Sequence, residues 1–136
     1  MTAFVTGLAH VNLRAPRELL ERLRAFYRDV LGLRDGLRPP FLNAGFWLYA
    51  GDVAVVHLTL QPPEETPRVH TGVGVPHTVD HFAFSAVDPE VAAAALRAHG
   101  VAFEVTRSAA TRQYQFFFAD PAGNGVELNF PYTDDS

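Results

Sequence analysis

Four short runs in this 136-residue chain share one make-up: HVNL from His10, HLTL from His57, HFAF from His81 and ELNF from Glu127. Each opens on a side chain able to ligate a metal, followed by an apolar residue, a small or polar one, and a second apolar one. The spacing repeats as well. His10 and His81 lie 71 residues apart (81 minus 10), and His57 and Glu127 lie 70 apart (127 minus 57). Self-similarity at a fixed period is the mark of a duplicated structural unit. Three imidazoles and a carboxylate form a nitrogen and oxygen donor set suited to Zn, Ni, Co, Fe or Mn. Taken one at a time, each histidine fits a surface or hydrogen-bonded residue, and Glu127 fits the solvent face of an alternating strand. Four coincidences in register favour a shared cation, which would also explain a carboxylate between Val126 and Leu128, where desolvation is expensive.

The elements that must position these residues can be read from periodicity. Phe4 to Leu13 reads as a strand, and Pro16 precedes a helix carrying Leu19, Leu20, Leu23, Phe26, Tyr27, Val30 and Leu31 at helical spacing, with Gly32 as its stop. Strands are expected at Leu37 to Leu42, at Phe46 to Ala50 and at Val53 to Leu60, with Gly51-Asp52 turning between the last two. Pro39 and Pro40 limit the first of these to an edge. Gln61 to His77 is rich in Pro, Gly and Glu and reads as a connection. The order then recurs: a strand at Val79 to Ala86, and a helix from Pro89 to about Ala98 with Asp88 as its cap and Gly100 as its end. Strands follow at Val101 to Thr106, Gln113 to Ala119 and Gly125 to Phe130, with DPAGN turning between the last two. Each half is βαβββ: modules 4–61 and 78–131, joined by loop 62–77. Strand side chains alternate between faces, so His10 shares a face with Asn12, His57 with Thr59, His81 with Ala83 and Glu127 with Asn129. Val11, Leu13, Leu58, Leu60, Phe82, Phe84, Leu128 and Phe130 point the other way, toward each half's helix.

Composition bounds the chemistry further. The chain is 48% hydrophobic and 19% charged, with a formal charge of −4, and has no basic cluster for a nucleic-acid backbone. It has no Cys, which removes thiol nucleophiles, disulfides and thiolate ligands, and all eleven basic residues are Arg, which removes lysine Schiff-base chemistry. MTAFVTGLAH lacks the basic and apolar regions of a secretory leader, and no apolar run reaches membrane-spanning length, so a cytoplasmic setting is expected. His70 and His77 fall in the connecting loop, and His99 falls at a helix C-terminus, where its cation suits the dipole. Gly72-Val73-Gly74 is not followed by a helix and gives no phosphate cradle. Arg112 is a candidate contact for an anionic substrate group, weighed against a solvated strand-end Arg. Phe46, Trp47, Tyr49, Tyr114, Phe116 and Phe118 include candidates for an apolar pocket wall, weighed against plain core.

The paired halves, together with FYRDVLGL, DHFAF and DPAGNGVELNF, closely resemble the vicinal oxygen chelate superfamily, the glyoxalase, bleomycin-resistance and extradiol-dioxygenase group. The resemblance runs from about Leu8 to Phe130, and its motifs are specific for the superfamily, not for one reaction. It implies an α+β fold in which the two βαβββ modules form an open eight-stranded barrel around a divalent ion. It also implies metal ligands at His10, His81 and Glu127, with the fourth position falling on His57. A homodimer is expected, since open sheet edges invite pairing.

His57 separates the subfamilies. Proteins resembling glyoxalase I usually carry Glu there, as a ligand that takes part in proton transfer. In proteins resembling extradiol dioxygenases, two imidazoles and a carboxylate hold iron and a separate histidine acts as acid/base; those usually carry Tyr where this chain has Phe117. His57 is therefore either a fourth ligand or an acid/base, and His57 and Glu127 are the candidate catalytic residues. The expected function is metal-dependent lyase or isomerase chemistry of glyoxalase type on a small oxygenated substrate. The alternatives are a ring-cleaving dioxygenase and a non-catalytic drug-binding protein.

Overall fold

The computed structural model describes residues 2–65 and 78–134. The chain divides into two compact units, Met1–Thr66 and Pro67–Ser136. The first contains β1 (Val11–Ala15), α1 (Arg17–Ala25, continued by a π-helical turn over Phe26–Val30), β2 (Arg34–Gly36), β3 (Gly45–Ala50) and β4 (Val53–Leu60). The second contains β5 (His81–Ser85), α2 (Pro89–Ala98), β6 (Glu104–Ser108), β7 (Gln113–Ala119) and β8 (Gly125–Phe130). The strand orders are β1-β4-β3-β2 and β5-β8-β7-β6, so the duplication extends to topology. The expected α+β pair of βαβββ modules is present, as two four-stranded mixed sheets.

Apolar alternation explains the packing. In the first unit, Leu20, Leu23, Phe26 and Tyr27 on the helix and Leu48, Val56 and Leu58 on the sheet are all buried, and α1 packs on β4. Each such side chain contributes about 1.5–3 kcal/mol on burial. The Leu31 N–H bonds the Phe26 carbonyl at 3.2 Å, an i to i+5 pattern that widens the last turn where Phe26 and Tyr27 are both buried. Gly32 ends the helix at φ 77°, as its sequence position suggested. In the second unit Ala93 and Leu96 of α2 are buried, as are Phe116, Phe118, Val126, Leu128 and Phe130 of the sheet.

The structure corrects several expected bounds. The first strand begins at Val11, not Phe4; residues 2–10 form no strand and are exposed. Alternation reports which side chains would share a face but not whether a partner strand exists, and β1 pairs β4 only from Val11↔Val56 onward. No strand forms at Leu37 to Leu42; the edge strand is Arg34–Gly36, before the prolines that cannot donate to a ladder. β5 is shorter than Val79 to Ala86, and β6 runs from Glu104 to Ser108, later than Val101 to Thr106. Asp88 does not cap α2 through its side chain. Its backbone is left-handed (φ 55°, ψ 69°), and only its carbonyl engages, accepting from the Ala92 N–H at 3.0 Å. Phe46 to Ala50, Val53 to Leu60, Pro89 to Ala98, Gln113 to Ala119 and Gly125 to Phe130 form as expected, the first with Gly45 added. The connection begins with a turn in which the Glu65 N–H bonds the Pro62 carbonyl at 3.1 Å; His70, His77 and Gly72-Val73-Gly74 lie outside the described residues.

Candidate metal centre

Register places His57 and Glu127 in equivalent positions of the two sheets. β1 and β4 are parallel with Asn12 opposite His57, and β5 and β8 are parallel with Ala83 opposite Glu127. The antiparallel neighbours match too: Trp47 of β3 lies opposite His57, and Phe117 of β7 lies opposite Glu127. Cross-strand partners project to the same face, so His57 and Glu127 each sit mid-rung beside an aromatic residue.

In the second unit the pair is closely joined. His81 Nε2 lies 3.2 Å from Glu127 Oε1, and Gln115 Nε2 donates to Glu127 Oε2 at 3.3 Å. Glu127 is 6% exposed, so these contacts, and not water, satisfy most of its charge. On its other side the His81 ring turns Nδ1 to Asp80 Oδ2 at 2.7 Å. The Asp80 hydrogen bond raises the His81 pKa above the usual histidine value; partial desolvation opposes this, and the Glu127 charge adds to it. A carboxylate on Nδ1 that leaves Nε2 to converge with a second carboxylate is the usual orientation of a metal-ligating histidine. This donor pair fits a divalent cation. Phe117 presents its ring edge-on to His81 at 6.0 Å and 89°.

The turn before β8 holds this strand in place. Asp120 is 5% exposed and its Oδ1 accepts from the Ala122 and Asn124 backbone N–H groups at 2.9 and 3.0 Å. Its Oδ2 accepts from Asn124 Nδ2 at 2.9 Å, and Gly123 takes φ 85°. The acid and glycine of DPAGN are thus the residues that start β8 in register.

In the first unit three rings form a stack. His10 lies 3.7 Å from His57 at 14°, and Trp47 lies 4.1 Å from the other face of His57 at 11°. Burial lowers the His57 pKa most, the neighbouring His10 and the Arg38 charge lower it further, and a hydrogen bond with the Ala54 backbone opposes them. Stacked rings carry their in-plane nitrogen lone pairs in parallel planes, which do not converge on one ion. His10 precedes β1 and is exposed, whereas His57 lies within β4 and is half-buried. Among the described residues no group of three or more His, Asp or Glu side chains is close enough to hold a metal; the candidates occur as two pairs.

Several other candidates resolve into structural roles. Arg112 (φ 53°) pairs with Asp134 at 3.4 Å and lies over Tyr132. His99 Nδ1 lies 3.0 Å from the Ala95 carbonyl at the end of α2, as its placement suggested. Phe116 and Phe118 are buried core, and Phe46 lies under the Arg24 guanidinium at 4.0 Å. Trp47 alone of the six aromatic candidates lies on a ligand rung; Phe117, noted only as a substitution for Tyr, lies on the other. Asp80 and Gln115 were not singled out from sequence. The Asp-His dipeptide opening β5 was the available signal for Asp80, whereas Gln115 has none, because its contact with Glu127 crosses strands. An open concavity lined by Ser85, Ala86, Val87, Asn129, Phe130 and Pro131 lies at the far end of β5 from His81 and includes none of the four ligand-type residues.

Comparison with known proteins bears on the family and the fold. The family model described as the Glyoxalase/Bleomycin resistance protein/Dioxygenase superfamily matches residues 7–128. Among solved structures, a glyoxalase family protein from Bacillus anthracis aligns at 22% identity with TM-score 0.70, covering 96% of this chain and 99% of its own. Lactoylglutathione lyase from Agrobacterium tumefaciens aligns at 26% identity with TM-score 0.60, covering 93% and 94%. TnmS3, an antibiotic binding protein from Streptomyces sp. CB03234, aligns at 18% identity with TM-score 0.64, covering 96% and 99%. No curated protein matches the sequence. No helix among the described residues is long and apolar enough to cross a membrane.

Proposed function

The chain belongs to the glyoxalase/bleomycin resistance protein/dioxygenase superfamily, and from that membership we propose that it is a divalent-metal-dependent enzyme acting on a small oxygenated substrate by glyoxalase-like lyase or isomerase chemistry. The observation that carries this reading is the convergence of His81 Nε2 and Glu127 Oε1 at 3.2 Å, with Asp80 behind the ring. His10, His57, His81 and Glu127 are the proposed ligands, and Zn, Ni, Co, Fe and Mn all suit three imidazoles and a carboxylate. A bound divalent ion would supply Lewis-acid stabilisation of negative charge developing on substrate oxygens.

The chain's own residues then divide the remaining work. Glu127 and His57 are the groups placed to accept or return a proton: Glu127 through the oxygen that faces His81, and His57 through a ring nitrogen kept neutral by its lowered pKa. Trp47 and Phe117, one beside each of these residues, supply apolar ring surface on the rungs where charge would move. We further propose a homodimer in a cytoplasmic setting, testable by light scattering at micromolar concentration and overturned by a monomer.

Phe117 in place of tyrosine disfavours the ring-cleaving reading. The His10–His57–Trp47 stack favours, as a second reading, a protein that binds a flat aromatic ligand without turnover. Elemental analysis of the purified protein and of His81→Ala and Glu127→Ala separates the two. The enzyme reading expects stoichiometric metal in the parent and a sharp loss in both folded variants. Equal metal content in all three would sink it.

A further inference from the structure

The duplication supplies an internal control for the far end of β5 and β8. His10 and His81 are equivalent at an offset of 71, which makes Ser85 the counterpart of Arg14 (14 plus 71) and Ala83 that of Asn12 (12 plus 71). His57 and Glu127 are equivalent at an offset of 70, which makes Asn129 the counterpart of Thr59 (59 plus 70). Register agrees: Arg14 lies opposite Thr59, and Ser85 lies opposite Asn129.

The two units finish this rung differently. In the first, its polar groups find partners within the protein. Asn12 Nδ2 donates to Thr59 Oγ1 at 2.9 Å, and Arg14 reaches Glu65 on the turn after β4. In the second, Ala83 has no polar group to offer Asn129, and a short hydroxymethyl group stands where the guanidinium side chain would be. The chain after β8 also leaves toward the opposite edge of its sheet, where the Thr133 carbonyl accepts from Arg107 Nη2 of β6 at 2.8 Å. What remains is the concavity at the end of β5, about 430 Å³ in volume. Ser85 and Asn129 both line it and both are exposed. Among the described residues neither side chain has a hydrogen-bond partner.

The lining narrows the occupant. Its other members are Ala86, Val87, Phe130 and Pro131, with Val87 69% exposed. Apolar walls with a few polar groups that fix orientation are the make-up of a small-molecule site, and the volume falls in the range of such sites. No charged side chain belongs to the lining, so a neutral group is favoured over an ion. A carboxamide presents an N–H donor and a carbonyl acceptor along one edge, and the Ser85 hydroxyl adds a further donor beside it. The complement is an N–H next to a C=O on the same side of a molecule, the edge of a lactam or an imide, which closes two hydrogen bonds at once. A flat ring carrying that edge finds apolar surface on Val87 and Pro131.

We propose that Ser85 and Asn129 form a binding site for the lactam or imide edge of a small neutral heterocycle. Asn129 and Glu127 share a face of β8 two residues apart, roughly 6–7 Å along the strand. One molecule therefore spans this edge and the oxygens that would meet the ion at Glu127. That extension rests on the metal reading above; the site itself does not.

The probe is 2-pyridone, a neutral ring with N–H beside C=O, and its control is N-methyl-2-pyridone, which lacks the N–H. Full-length protein, labelled with nitrogen-15 and freed of metal with EDTA, is titrated with each while NMR follows the Asn129 side-chain amide and the Ala86 and Val87 backbone amides. In the parent, 2-pyridone should shift these signals saturably and bind about three- to tenfold more tightly than the control, the scale of one neutral hydrogen bond. Asn129→Asp accepts but cannot donate and should erase that preference. Ser85→Arg restores the first unit's residue, fills the concavity and should abolish the shifts. Both positions are exposed, and the two probes on the parent decide the matter even if a variant does not fold. Equal affinity for the probes, or no saturable shift at Asn129, overturns the proposal and leaves a solvated strand end. A preference that survives in Asn129→Asp, or undiminished binding in Ser85→Arg, overturns it as well. Because no metal is present, failure here leaves the elemental analysis untouched, and an absence of metal there leaves this titration intact.

Discussion

Replacing Asp80 by Asn isolates the carboxylate behind His81. Its Oδ2 lies 2.7 Å from His81 Nδ1, while His81 Nε2 faces Glu127 at 3.2 Å. With a cation at Nε2, the Asp80 hydrogen bond would fix the tautomer and strengthen Nε2 as a donor; removing such a partner lowers metal affinity about 10–100-fold. The Asp80 side chain is 92% exposed, so water both screens its charge and replaces part of its hydrogen bond. The lower end, about tenfold, is therefore expected. Zinc competition against a chromogenic chelator at pH 8 reads this directly. A second readout comes from proton NMR of metal-free protein, where His81 should titrate above the ordinary value of about 6.5 and move down in Asp80→Asn. The sign of the stability effect follows. A histidine whose folded pKa is raised contributes stability that is fully present below its unfolded pKa and is lost as pH rises through the folded pKa. Parent and Asp80→Asn should therefore differ in melting temperature in mild acid and converge in the alkaline range. Unchanged zinc affinity together with an unchanged His81 pKa would refute the role assigned to Asp80.

The remaining predictions concern the strand that carries His57. As a ligand, His57→Ala should weaken metal binding by as much as His10→Ala; as an acid/base it should retain the ion, lose turnover by roughly 10²–10⁴-fold and flatten one limb of the pH profile. A fully metallated, fully active His57→Asn would reject both roles. In metal-free protein His57 should titrate below the ordinary histidine value, chiefly because it is partly buried. With a lowered folded pKa, its contribution to stability is present above about pH 6.5 and falls as pH drops through the folded value, which NMR titration beside acid-induced unfolding would check. Leu58→Ala, at a fully buried position facing α1's side of the sheet, should cost about 2–5 kcal/mol in urea unfolding. An effect under about 1 kcal/mol would mean that the alternation along β4 has been assigned to the wrong faces.

How far the site was legible depends on whether its signals are local or cross-strand. The ligand-type residues were visible because a duplicated module repeats its pattern at a fixed period, and the register Asn12↔His57 against Ala83↔Glu127 reproduces that period in the pairing. The start of the first strand was misplaced because Phe4, Val5 and Leu8 are strand-competent apolar residues that the fold leaves exposed and unpaired. The Asp88 cap was a sound expectation from residue type, but a left-handed backbone at that position removes its side chain from the helix end.

The sequence by itself determined the two βαβββ modules, the hairpin and turn residues between their strands, and the four positions able to ligate a metal. Each of these is written in spacing of two, of three to four, or of one module, which a linear chain displays directly. Only the tertiary structure decided which neighbours those positions have. It set His81 between Asp80 and Glu127, and stacked His57 between His10 and Trp47. Such contacts join residues tens of positions apart through sheet register and burial, and the charge state of a histidine or the partner of an arginine depends on them, not on residue type.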